Sequence, residues 1–115
     1  MTSFERGDLV LVPFQFTDKP IAKNRPALVI STARYHAARQ EIIIAALTSR
    51  VREPLLFGDH LVRRWQDAGL PKPSVVTAIL RTVKARMIVQ RLGALEELDM
   101  HSFEMRLAEA LSLPR

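Results

Sequence analysis

Residues 41–49 read EIIIAALTS. An unbroken apolar run of this length, rich in isoleucine and without alternation, is a strand buried on both faces. A chain containing it must fold around a sheet that carries material on either side. The same signature recurs in PALVIS (26–31) and in SVVTAILRTV (74–83), whose approach is bracketed by Pro71 and Pro73. GDLVLVPF (7–14) is a further strand, opened by Gly-Asp and stopped at Pro13, and RMIVQRL (86–92) is the fifth. Two segments carry helical signals instead. DHLVRRWQDAG (59–69) sets Asp59 at an N-cap position and Gly69 where a left-handed terminator belongs, with Leu61, Trp65 and Ala68 on one face. In the second, from Asp99 as cap to Leu113, the stripe is Met100, Phe103, Leu107, Ala110 and Leu111. The pattern predicts a mainly β domain over residues 1–115, a small twisted sheet curled into a half-barrel, with a short inserted helix and a C-terminal helix over one open side.

Charge narrows the partners. The formal net charge is +5, but it is uneven: residues 1–93 hold 15 Lys and Arg against 7 Asp and Glu (+8), and residues 94–115 hold 2 against 5 (−3). A basic body points to a polyanion, against the plainer reading of a charged, soluble surface. There is no cysteine, which excludes disulfides, thiolate metal sites and cysteine nucleophiles. No His/Asp/Glu cluster has metal-ligand spacing, and no glycine-rich phosphate loop occurs, so neither metal nor cofactor is expected. The polar opening MTSFERGD and the lack of any apolar run near the ~18 residues of a membrane span lead us to expect a cytoplasmic protein.

Five fragments in order, RGDLVLVPFQFTD, KNRPALVIS, IIIAALTS, WQDAGLPKPSVV and RLGAL, resemble the PemK/MazF family of toxin endoribonucleases. The resemblance runs through most of the chain. It implies an SH3-like barrel with a C-terminal helix and a homodimer. It also implies cleavage of single-stranded RNA without a metal, and restraint by an acidic antitoxin that folds on binding.

Cleavage through the ribose 2′-hydroxyl needs a group that orients the phosphate, donors for its oxygens and two proton transfers. Arg25 suits phosphate clamping: its guanidinium is a planar fork matched to a phosphate, and Pro26 behind it fixes the backbone in an extended form. An arginine parts with its proton too reluctantly to serve as base. Thr48 ends a strand and offers a hydroxyl to a non-bridging oxygen, the use the family makes of the matching threonine. Ser49 beside it offers the same, or simply opens a turn. Arg25 and Thr48 are thus the expected catalytic pair. Lys19, Lys23, Arg50 and, after it, Arg52 are expected on flanking phosphates. Phe16 is either core or a platform for a splayed base. Several relatives place an arginine and an aspartate just after the VV of the later strand; this chain has Thr77 and Ile79 there and no acid, with Arg81 a few residues on as a displaced positive charge. His60 is the substitute proton acceptor, against the commoner case of a surface histidine, and His60, Thr77 and Arg81 are all expected to contact the RNA.

The competing function is a non-catalytic toxin of the same fold that binds nucleic acid or poisons a gyrase. The missing carboxylate favours it. The ending LSLPR, without the aromatic residue expected of a gyrase poison, opposes that version. A structural adaptor ranks last because of the basic body.

Overall fold

The computed structural model describes residues 3–15 and 21–114. Six strands, β1 (Asp8–Phe14), β2 (Lys23–Val29), β3 (Glu41–Thr48), β4 (His60–Leu61), β5 (Val75–Lys84) and β6 (Gln90–Ala94), form one sheet in the order β4-β5-β3-β2-β1-β6. All five pairings are antiparallel. The sheet curls, and bonds such as Val89 N–H to Leu11 O and Leu95 N–H to Gly7 O draw the end of the chain back onto β1.

The unbroken apolar runs have the meaning their composition suggests, because β1, β2, β3 and β5 each feed two cores. Along β3, Ile42, Ile44 and Ala46 join Val10, Val12, Phe14, Ala27 and Val29 inside the curl. The intervening Ala45 and Leu47 join Leu9, Leu28 and Val76 on the other face, under Met100 and Phe103 of the C-terminal helix α2 (Glu97–Leu111). Side chains alternate along a strand, so one short segment serves both layers.

The helices differ from expectation. A seven-residue helix α1 (Ala33–Arg39) joins β2 to β3, capped by the Thr32 hydroxyl, which accepts from Tyr35 N–H. This is the short inserted helix. The segment 59–69 is not one: it supplies β4 and then a series of turns. Val62 and Ala68 are its buried apolar side chains, with Trp65 packed beside them as expected, while Leu61 is exposed. Gly69 does terminate the turn as expected, at φ +92°, with Gly69 N–H bonded to Gln66 O and Leu70 N–H to Trp65 O. The N-terminal cap is where the reading fails, since Asp59 does not provide it. The donors of Arg63 N–H (3.0 Å) and Arg64 N–H (3.2 Å) go to the carboxylate of Asp99, in the first turn of α2. Asp99 is therefore not the cap of its own helix; Glu96 occupies that position. Leu111 is half exposed rather than part of the buried stripe. The segment 86–92 begins in a 3₁₀ turn (Ala85–Met87) before β6.

The same turn closes the curl. Ala68–Gly69 lies against Leu92–Gly93 of β6 so closely that a Cβ on Gly93 would stand 2.0 Å from Ala68 O, and one on Gly69 2.3 Å from Leu92 O. Backbone faces backbone, so no flexible side chain can yield. Gly93→Ala is expected to destabilise the fold by about 2–3 kcal/mol, as overpacking does, seen as a lowered urea midpoint. An unchanged midpoint would show that this seam adjusts freely.

Candidate active site

The β2–β3 ladder pairs Val29 with Ile44, Leu28 with Ala45 and Ala27 with Ala46. It stops at Pro26, which has no N–H to donate. Carried two residues on, the same register sets Arg25 opposite Thr48. The flanking ladders support this row: Val12 pairs with Arg25 on one side, and Thr48 with Val75 on the other. Arg25 has the parity of Ala27, and Thr48 that of Ala46, so both side chains face the inside of the curl. Neighbouring strands lie about 5 Å apart, which lets a guanidinium and a hydroxyl reach one phosphate. Both residues are half-buried, and the Arg25 Nε is shielded from solvent. The walls of the row, Val12 and Val75, are buried. Donors held between apolar walls act on developing charge more strongly than they would in water.

The Thr48 hydroxyl is oriented as well as placed. Its oxygen accepts from Arg50 N–H at 3.1 Å, which leaves its own O–H to donate outward. The turn-forming use of this threonine and its proposed chemistry are thus compatible. Ser49 and Arg50 follow, both exposed.

A second cation stands at the same mouth. Arg81 faces the interior side opposite Ile44. Because the sheet curls, its guanidinium lies 5.0 Å from the centre of the Phe14 ring, and Nη2 donates to Gln15 O at 3.4 Å. Phe14 in turn pairs with the exposed Lys23. Lys23, Arg25 and Arg81 therefore gather around one end of the curl. Phe16 and Lys19 lie outside the described residues.

Two expected RNA contacts are placed elsewhere. His60 is on β4, not on a helix, and is buried; its Nε2 lies 2.7 Å from Asp99 Oδ1, beneath α2. It belongs to the opposite layer from Arg25 and cannot meet RNA without unfolding that layer. Burial works to raise the Asp99 pKa, yet the bonds from Arg63 N–H, His60 and Arg64 N–H outweigh it and hold the carboxyl below its ordinary value. Thr77 is also buried, its hydroxyl donating to Ala46 O at 2.8 Å and accepting from Ile79 N–H at 3.1 Å. Its bonds are within the sheet.

Asp59 is the carboxyl that the sequence reading had assigned only to capping. Continuing the β4–β5 register (His60 with Val76, Leu61 with Val75) sets it opposite Thr77, on the Arg25 face. Burial raises its pKa, moderated by a backbone bond at Leu56 and by Arg52. From strand spacing and rise it stands about 12 Å from Thr48, Cα to Cα. That is beyond a direct hydrogen bond.

A curled six-stranded antiparallel sheet, with a guanidinium and a strand-end hydroxyl neighbouring each other at its mouth, defines a small SH3-like barrel. Residues 5–111 match the family described as PemK-like, MazF-like toxin of type II toxin-antitoxin system, and the chain belongs to that family. Among solved structures, an endoribonuclease from mycobacterial species is similar at a TM-score of 0.78 and 18% identity, covering 100% of this chain and 97% of that one. A MazE–MazF complex from Deinococcus radiodurans follows at 0.77 and 22%, covering 98% and 100%. The Mycobacterium tuberculosis toxin MazF-mt6 stands at 0.75 and 20%, covering 94% and 99%. No curated protein sequence matches the chain. Among the described residues no helix is long and apolar enough to cross a membrane.

Proposed function

We propose that this toxin is an endoribonuclease that cuts single-stranded RNA by 2′-hydroxyl transesterification, with Arg25 and Thr48 as its catalytic residues. The observation that carries the reading is their common row at the mouth of the curl. The ribose 2′-oxygen attacks phosphorus and the bond to the 5′-oxygen breaks, leaving a 2′,3′-cyclic phosphate and a 5′-hydroxyl. Charge accumulates on the non-bridging oxygens, where the Arg25 fork and the Thr48 O–H donate. Lys23, Arg50 and Arg81 hold neighbouring phosphates, so binding weakens as salt rises. No metal enters this scheme. The relatives solved as a MazE–MazF complex, and as an endoribonuclease with its cognate antitoxin, support an antitoxin as partner, and the basic body makes an acidic one the expected form. A cytoplasmic location and a homodimeric assembly go with this reading.

Incubating the purified protein with RNA in excess chelator and mapping the fragment ends tests the reaction. Fragments carrying 5′-hydroxyl and cyclic phosphate ends are expected. Ends bearing 5′-phosphate, or cutting that stops with the chelator, would replace this mechanism with a metal-assisted one. RNA bound but left intact would favour the non-catalytic toxin.

A further inference from the structure

The β3–β5 ladder is interrupted beside the candidate active site. Ala45 pairs with Leu80, but Leu47 pairs with Val76, so Thr77, Ala78 and Ile79 stand opposite Ala46 alone. A regular continuation from Ala45 would set Thr48 opposite Thr77; the bulge sets it opposite Val75 instead. Bulges leave backbone groups without ladder partners, and they also increase twist and re-aim neighbouring side chains. Here one hydroxyl serves both groups. Thr77 Oγ1 donates to Ala46 O at 2.8 Å and accepts from Ile79 N–H at 3.1 Å, and the side chain is buried. Ala46 pairs across with Ala27. It thus lies one step, on the same face, from both Thr48 and Arg25.

We infer that Thr77 is a positioning residue for RNA cleavage: its hydroxyl holds the bulge that fixes the peptide of Ala46 and thereby the aim of Thr48. This rests on the nuclease reading of Arg25 and Thr48 and adds a residue to it. A valine keeps the shape of the threonine but loses both bonds, while a serine keeps the bonds and loses the methyl group. A displacement of about 1 Å at a reacting group costs up to ~100-fold in rate.

The test is steady-state cleavage of a short RNA by wild type, Thr77→Val and Thr77→Ser, well below each protein's Tm. Thr77→Val is expected to lower kcat tenfold to a hundredfold with KM close to wild type, and Thr77→Ser to restore kcat. A kcat unchanged in folded Thr77→Val overturns the inference and leaves the nuclease reading standing. So does a loss that tracks only the unfolded fraction, or one that Thr77→Ser shares in full. No cutting by the wild type removes both. Should Thr77→Val fail to fold, Thr77→Ala, which also removes both bonds, takes its place under the same outcomes.

Discussion

Arg25→Ala is expected to lower RNA cleavage by about a hundredfold to a thousandfold, the usual cost of removing a preorganised donor from a developing oxyanion. The fold should survive. Arg25 is only half-buried, and the cores on either side of its strand are made by Ala27, Leu28 and Val29. Arg25→Lys separates two contributions, because it keeps the positive charge and loses the planar fork. If bidentate clamping matters, it should recover only a small part of the lost rate. Gel assays at matched concentration, with denaturation midpoints beside them, read both effects. Cleavage equal to wild type in folded Arg25→Ala would remove the proposed site.

The largest effect on stability is expected at Asp99→Asn. The carboxylate is 3% exposed and gathers His60 at 2.7 Å together with two backbone N–H groups. Leaving a buried donor without its acceptor costs about 1–3 kcal/mol for each donor affected. An asparagine also turns an amide N–H₂ toward donors that need an acceptor. The pH dependence has a definite sign. The Asp99 pKa is lower in the fold than its ordinary 3.8, so the unfolded chain takes up the proton first. The stabilisation is complete above the unfolded value and is lost as pH falls through the folded one. Urea midpoints compared at pH 7 and near pH 3 should fall for wild type, with a shallower acid loss in Asp99→Asn. Equal midpoints for the two proteins at pH 7 would show that the pair is dispensable.

These two residues mark how far the sequence could be read. Five of the six strands were legible, β2, β3 and β5 because two-sided burial writes itself as unbroken apolar runs; β4 was not, since its residues fell inside the segment read as helical. Arg25 and Thr48 stood out as candidates from the proline after one and the strand end at the other, and their chemistry is a proposal. Their adjacency lay in the register, which no local signal specifies. The segment 59–69 looked helical because half of the signal was real: Gly69 does end a turn. The missing half is a cap donated by Asp99, more than 30 residues away. The helix α1 left no trace because it buries no residue, so it has no apolar stripe to find. Thr77 was misread as facing RNA because VVTAILRTV looks like a regular strand. The interruption appears only once β5 is laid against β3.

Strand β3 divides its residues between two employers: Ala45 and Leu47 serve the layer under α2, Ala46 and Thr48 the other side. Gaining or losing one residue upstream of Thr48 would set a leucine or a serine beside Arg25 and push the hydroxyl among methyl groups. Letters can therefore be exchanged along β3 more readily than its length can change, because the spacing from Ile42 to Thr48 sets both layers at once.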